Sequence, residues 1–116
     1  MLLRIDSSFR DETFVIAASG EIDIDTVDLL RGAISDALQS GVRDLTIDLD
    51  EVSYLDSSGL GVLVGAYKRV AAIQGSFTVC CSAPRILRLF KITGLSDLLH
   101  IEQTPASEAA GRQVTV

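Results

Sequence analysis

The chain has 116 residues, 47% apolar and 22% charged, with two prolines and a net charge of −6. That composition suits one globular domain, large enough to bury about two-thirds of the surface its unfolded chain exposes, and argues against extended disorder. No apolar run approaches the ~18 residues of a membrane span, and Met1-Leu2-Leu3-Arg4-Ile5-Asp6 lacks the charged-then-apolar layout of a signal peptide, so a cytoplasmic location is expected.

In chain order, Leu3-Arg4-Ile5-Asp6 alternates, and Thr13-Phe14-Val15-Ile16-Ala17-Ala18 is rich in strand formers, with Arg10-Asp11-Glu12 as a polar turn between them. The pattern predicts a hairpin. Gly20-Glu21-Ile22-Asp23-Ile24-Asp25 reads as a loop in which Asp25 caps a helix. That helix carries Val27, Leu30, Ile34, Ala37 and Leu38 at helical spacing and is closed by Gly41. A third strand covers residues 45–49. It feeds the stretch Tyr54-Leu55-Asp56-Ser57-Ser58-Gly59-Leu60-Gly61, a loop that delivers two hydroxyls to a helix from about residue 59 to residue 74, closed by Gly75. Leu60, Leu63, Val64, Tyr67 and Ala71 form its inward stripe, while Val62, Ala66, Val70 and Ile73 lie off it. Gly61 and Gly65, four apart, leave a flat patch that another backbone can approach.

Phe77-Thr78-Val79-Cys80-Cys81 is apolar on both faces, as a central strand should be. Adjacent cysteines lack the spacing of a redox or zinc CxxC pair or of a disulfide framework and are read as core packing. Ser82 and Pro84 open the next helix, with Ile86, Leu87, Leu89, Phe90 and Ile92 inward and Arg85, Arg88 and Lys91 outside, and Gly94 ends it. Leu99-His100-Ile101-Glu102 is a last strand, and Thr104-Pro105 starts a short C-terminal helix. Strands alternating with helices after a hairpin imply an α/β fold: a small mixed β-sheet, an N-terminal hairpin plus parallel strands, covered by about four helices. Partners of such sheets meet loops at the strand ends, and residues 20–25 and the Ser57-Ser58 loop both follow strands, so they share one edge.

That edge is acidic. Residues 1–56 hold thirteen Asp/Glu against four Lys/Arg, net −9, whereas residues 57–116 hold three against six, net +3. Such a surface disfavours nucleic acid, whose binding rests on cations neutralising phosphates, and suits a basic protein partner. A serine at a helix N-terminus sits beside unpaired N–H groups and the positive end of the helix dipole, a setting that stabilises a phosphate by ~0.3–1 kcal/mol or more. Phosphorylation there would add about −1.5 to −2 charge next to Asp56 and near Asp23, altering a partner surface without unfolding the domain. As a bare tetrapeptide, Asp-Ser-Ser-Gly is also a common helix cap.

Asp56-Ser57-Ser58-Gly59-Leu60-Gly61 after a strand, preceded by Gly20-Glu21-Ile22-Asp23 and followed by Phe90-Lys91-Ile92-Thr93-Gly94-Leu95, closely resembles the anti-sigma factor antagonist family, the STAS domain. The resemblance covers about residues 1–103 of a single domain over residues 1–116, with 104–116 as a short helix or tail. It implies a binder controlled by phosphorylation. The unphosphorylated form captures an anti-sigma factor that is itself a serine kinase and so frees the sigma factor; phosphorylation of the second motif hydroxyl, here Ser58, ends binding, and a serine phosphatase reverses it. Asp23 matches the family's loop aspartate that contacts the partner, and Ile22 replaces a Leu there. The implied partner surface comprises Glu21, Asp23, Asp56, Ser57, Ser58, Gly59 and Gly61. No catalytic residue, metal or cofactor is implied, ATP being bound by the kinase, and a monomer is expected. Of the two hydroxyls, Ser57 is expected to support the helix start and Ser58 to be modified.

Three rival readings remain open. A serine nucleophile at Ser58 lacks the Gly-x-Ser-x-Gly elbow, because Asp56 stands where the first Gly would be, and the single His100 reads as structural. A phospho-aspartate receiver centred on Asp48 or Asp50 lacks the acidic magnesium cluster after its first strand, where Ile5-Asp6-Ser7-Ser8 supplies one carboxylate. A constitutive adaptor of the same fold, serving a transport or stress-signalling complex, would use the serine loop and the Gly61 and Gly65 patch as a static interface.

Overall fold

The computed structural model describes residues 2–103. Strands β1 (Leu3–Arg10) and β2 (Thr13–Ile22) form the expected antiparallel hairpin, paired from Leu3 with Gly20 to Arg10 with Thr13. There follow α1 (Val27–Gln39), β3 (Asp44–Leu55), α2 (Ser57–Ala72), β4 (Ser76–Cys80), α3 (Pro84–Ile92), a single turn α4 (Leu95–Leu98) and β5 (His100–Glu102). The sheet order is β1-β2-β3-β4-β5, and every pair after the hairpin is parallel. The α/β architecture is the one the sequence pattern implies. Its fourth described helix is α4, which periodicity does not show, while the C-terminal helix expected from Thr104 lies outside the described residues.

One core holds the layers together. Alternate positions Ile16, Ala18 and Ile22 of β2, Leu45, Ile47 and Leu49 of β3, and Phe77 and Val79 of β4 turn to the same side. There they meet Val27, Leu30, Ile34 and Ala37 of α1, Leu60, Leu63, Ala66 and Val70 of α2, and Ile86 and Phe90 of α3. Each fully buried side chain of this size contributes about 1.5–3 kcal/mol relative to exposure. Val15 and Cys80 are buried outside that cluster, with Thr46 and Asp48 on the intervening strand. Cys80 ends β4 and Cys81, just past it, belongs to the core; both are buried thiols outside any disulfide.

The third strand runs to Leu55, well past its expected end at Leu49. Its pairing with β2 shifts register twice, between Ala17 and Ser19 and between Gly20 and Glu21, and each shift places one extra residue on β3. The apolar positions that face the core therefore fall at 45, 47 and 49 and then at 52 and 55. The two intervals of three break the alternation that identifies a strand in sequence, and bulges of this kind bend the strand and increase its twist. Gly20 sits at the second shift with φ +110, where a Cβ would lie 2.2 Å from the Leu2 carbonyl oxygen. Only glycine fits there.

One helix is rotated from expectation and another buries a narrower seam. In α2 the buried set is Gly59, Leu60, Leu63, Ala66 and Val70; Val64 and Tyr67 are half-buried and Ala71 is exposed. Apolar residues surround this helix, so its period does not select the face, and packing on β3 and β4 does. In α3 the seam is Ile86 and Phe90, one turn apart, and Ile92, expected inward, is 74% exposed. Two residues beyond Phe90 is about 200° around the helix, away from the seam.

Candidate functional site: the strand-end edge around Ser58

β3 ends at Leu55, and Asp56 caps α2 with extended backbone, φ −107 and ψ −171. Its Oδ1 accepts the Ser58 N–H at 2.9 Å and the Gly59 N–H at 3.3 Å, satisfying two of the donors that a helix start leaves open. The Ser58 hydroxyl donates to the same oxygen at 2.5 Å. Asp56 therefore supports the helix start, the part expected of Ser57, and α2 begins two residues earlier than its apolar pattern suggests. Ser57 is exposed on the first helical residue, and Ser58 is half-buried. The Asp56 carboxyl is held below the usual carboxylate range, chiefly by the Ser58 hydroxyl, with the backbone N–H groups of Gly59, Ser58 and Ile24 adding to the effect. It is thus ionised at neutral pH and keeps the Ser58 proton directed at itself.

Gly59 is buried. A Cβ there would lie 2.3 Å from Leu55 Cδ1 and 2.8 Å from Ile22 Cγ2, so its place in the site is to let the helix start close onto the ends of β2 and β3. Gly61 is exposed, and a Cβ added there or at Gly65 would meet nothing within 4 Å, which leaves the expected flat patch.

The acidic loop is built by Asp23. Its Oδ1 accepts the Asp25 N–H at 2.9 Å and the Thr26 N–H at 3.0 Å. Thr26, buried, returns by accepting the Asp23 N–H at 3.0 Å and donating to the Glu21 carbonyl at 2.8 Å. The cap position of α1 is Thr26, and Asp25, expected to fill it, is exposed. The reason is local: Asp23 bonds backbone two and three residues ahead, an Asx turn that carries the chain past Asp25 before the helix begins. A Thr directly before the first apolar helical residue is the sequence signal for this cap.

The two loops do share one edge. Glu21 pairs with Tyr54 and Ile22 with Leu55, and the Asp56 N–H donates to the Ile22 carbonyl at 3.2 Å. Glu21 and Asp23, both half-buried, are thereby fixed beside Asp56 and Ser58. From this edge a groove of about 310 Å³ runs between α1 and α2, starting at Ser57 and Ser58, floored by Gly61, Gly65 and Ala66, and flanked by Arg31 and Arg69.

His100, Asp48 and Asp50, on which two of the rival readings draw, lie elsewhere. His100 is on the edge strand β5, with its Nε2 3.2 Å from Glu102. Asp48 lies within β3 between Ala17 and Cys80, accepting the Asp50 N–H at 3.0 Å, and Asp50 accepts the Ser82 N–H at 2.8 Å. Burial pushes the Asp48 carboxyl up, and the negative charges of Asp50 and Glu51 add to this, against a lowering from the Asp50 N–H. Burial likewise raises the Cys81 thiol, which keeps it protonated and unreactive. No helix among the described residues is long and apolar enough to cross a membrane.

The mixed α/β sheet is that of a STAS-like fold, and the chain belongs to the STAS domain family, whose model matches residues 4–108. It is 37% identical over 103 residues to the anti-sigma-B factor antagonist of Staphylococcus aureus (strain NCTC 8325 / PS 47), a match covering 89% of this chain and 95% of that protein. Among solved structures it resembles an anti-sigma factor antagonist from Mycobacterium paratuberculosis, 28% identical with TM-score 0.84 over 95% of this chain and 93% of that one. It also resembles the Bacillus cell fate determinant SpoIIAA in its phosphorylated form, 27% identical with TM-score 0.71 over 94% and 98% of the two chains.

Proposed function

We propose that this protein is an anti-sigma factor antagonist whose unphosphorylated form binds an anti-sigma factor with serine kinase activity, releasing the sigma factor, and that phosphorylation of Ser58 ends the binding. The observation that carries this reading is the Ser58 hydroxyl held by the Asp56 carboxylate at the N-terminus of α2, on an edge shared with Glu21 and Asp23. The named relatives support the regulatory class. ATP belongs to the kinase, a serine phosphatase resets the switch in the cytoplasm, and the chain itself carries no catalytic residue or cofactor.

Chemistry accounts for the direction of the switch. Phosphorylation removes the proton that Ser58 donates and replaces it with about −1.5 to −2 charge beside an ionised Asp56. The helix dipole returns only ~0.3–1 kcal/mol, enough for the domain to stay folded. A partner surface shaped to the neutral hydroxyl meets instead a bulkier, doubly charged group that it must accommodate and desolvate. That mismatch costs several kcal/mol, on the order of a hundredfold or more in Kd. The groove over Gly61 and Gly65 continues the contact surface along α2.

The test is incubation of the full chain with its anti-sigma kinase and ATP, followed by intact-mass analysis and binding measurements. One phosphate on the wild type, none on Ser58→Ala, and partner binding retained by Ser58→Ala but lost by Ser58→Asp are expected. Equal affinity of the Ala and Asp variants would instead identify a static adaptor.

A further inference from the structure

We propose that a second cleft, between the end of β3 and α3, receives an acidic amphipathic helix of a protein partner. The cleft measures about 260 Å³ and is walled by Tyr54, Ile86, Leu89 and Ile92, with Arg85 and Arg88 also lining it. Ile86 is 3% exposed and closes its floor, whereas Ile92 is 74% and Tyr54 48% exposed at its mouth. Leaving two large apolar side chains in water beside an apolar depression is the signature of a contact surface, and Tyr and Arg are the residue types that dominate such contacts. At this volume the cleft falls below the ~300–1,000 Å³ of a small-molecule pocket, so it fits one or two inserted side chains.

Charge selects the occupant. α3 carries Arg85, Arg88 and Lys91 and no carboxylate, and neither arginine makes an ion pair among the described residues. Arg85 and Arg88 are one helical turn apart, about 4.5 Å along the axis. A helix laid along α3 presents carboxylates at the same spacing while its apolar stripe enters the cleft, the helix-in-groove mode of recognition. The cleft excludes Ser58, although Tyr54 and Asp56 belong to the same short stretch, so the contact does not depend on the phosphorylation reading.

The probe is a synthetic acidic amphipathic helical peptide, with Leu and Glu each repeated at helical spacing, titrated into the isotope-labelled full chain and followed by amide shifts. Perturbation centred on Tyr54, Leu89 and Ile92 is expected, with Kd weakened about tenfold or more by Arg85→Glu combined with Arg88→Glu and also by Ile92→Glu. These side chains are exposed, and circular dichroism of the variants verifies that they fold. Binding by a control peptide with Lys in place of Glu, shifts centred elsewhere, or affinity unchanged in both variants overturns the proposal. So does concentration-dependent dimerisation through this face in sedimentation, which assigns the cleft to a second copy, or preferential binding to phosphatidylglycerol vesicles, which assigns it to lipid.

Discussion

Replacing Gly59 with alanine tests how the site is held against the sheet. In an open helix this change stabilises, since alanine exceeds glycine by up to about 1 kcal/mol in helix propensity. Here the added Cβ would fall 2.3 Å from Leu55 Cδ1 and 2.8 Å from Ile22 Cγ2. The first neighbour is the tip of a side chain that rotates away at moderate cost. The second is a branch methyl close to the backbone of a residue with 0% exposure, and it has nowhere to move. Overpacking costs about 1–3 kcal/mol, and a contact under 3 Å with an immobile methyl belongs in the upper part of that range, about 2–3 kcal/mol, so after the propensity gain the expected net loss is about 1–2 kcal/mol. At about 4 °C per kcal/mol for a domain of this size, Tm falls by about 4–8 °C. Urea unfolding followed by circular dichroism should show a lower midpoint with an unchanged m-value. Gly61→Ala, with open space at the same Cβ position, is the internal control and should gain up to about 1 kcal/mol. A Gly59→Ala midpoint at or above the wild type refutes the close approach of α2 to β2 and β3.

Two carboxylates with opposite pKa shifts shape the acid limb of stability. Asp56 is lowered in the fold, so its contribution is complete above the unfolded value near 3.9 and is lost as pH falls through its folded pKa; Asp56→Asn should flatten the stability curve below about pH 4. Asp48 is raised, so the native state binds the extra proton, and stability falls as pH rises from near 3.9 through the higher folded value. Asp48→Asn keeps an oxygen for the Asp50 N–H and removes the buried charge, so it should unfold at higher urea than the wild type at pH 7 and lose that advantage toward pH 4. A variant equal to or weaker than wild type at pH 7 contradicts this.

Most of the site is legible in the sequence because local chemistry marks it. Asp56-Ser57-Ser58-Gly59 combines a capping residue with a change from strand to helix period, and Gly20-Glu21-Ile22-Asp23 marks the neighbouring turn. Local chemistry misleads where two candidates compete. Asp23, Asp25 and Thr26 are all competent caps, and the Asx turn of Asp23 decides among them. Asp56 and Ser57 compete likewise, and the carboxylate, accepting two N–H groups and a hydroxyl, takes the cap.

The α/β order of elements, the hairpin, the buried stripe of α1 and the delivery of Ser58 to a helix start can all be read from the chain, because each rests on periodicity or capping within a few residues. The length of β3, the buried face of α2 and the exposure of Ile92 emerge only from long-range packing. The first depends on register shifts against a partner strand, the second on which side of an all-round apolar helix meets the sheet, and the third on how narrow a seam α3 shares with the core. The Ser58 edge unites both kinds of information: its chemistry is written in adjacent residues, while the stitching of Asp56 to Ile22 that sets Asp23 beside it comes from strands brought together by the fold.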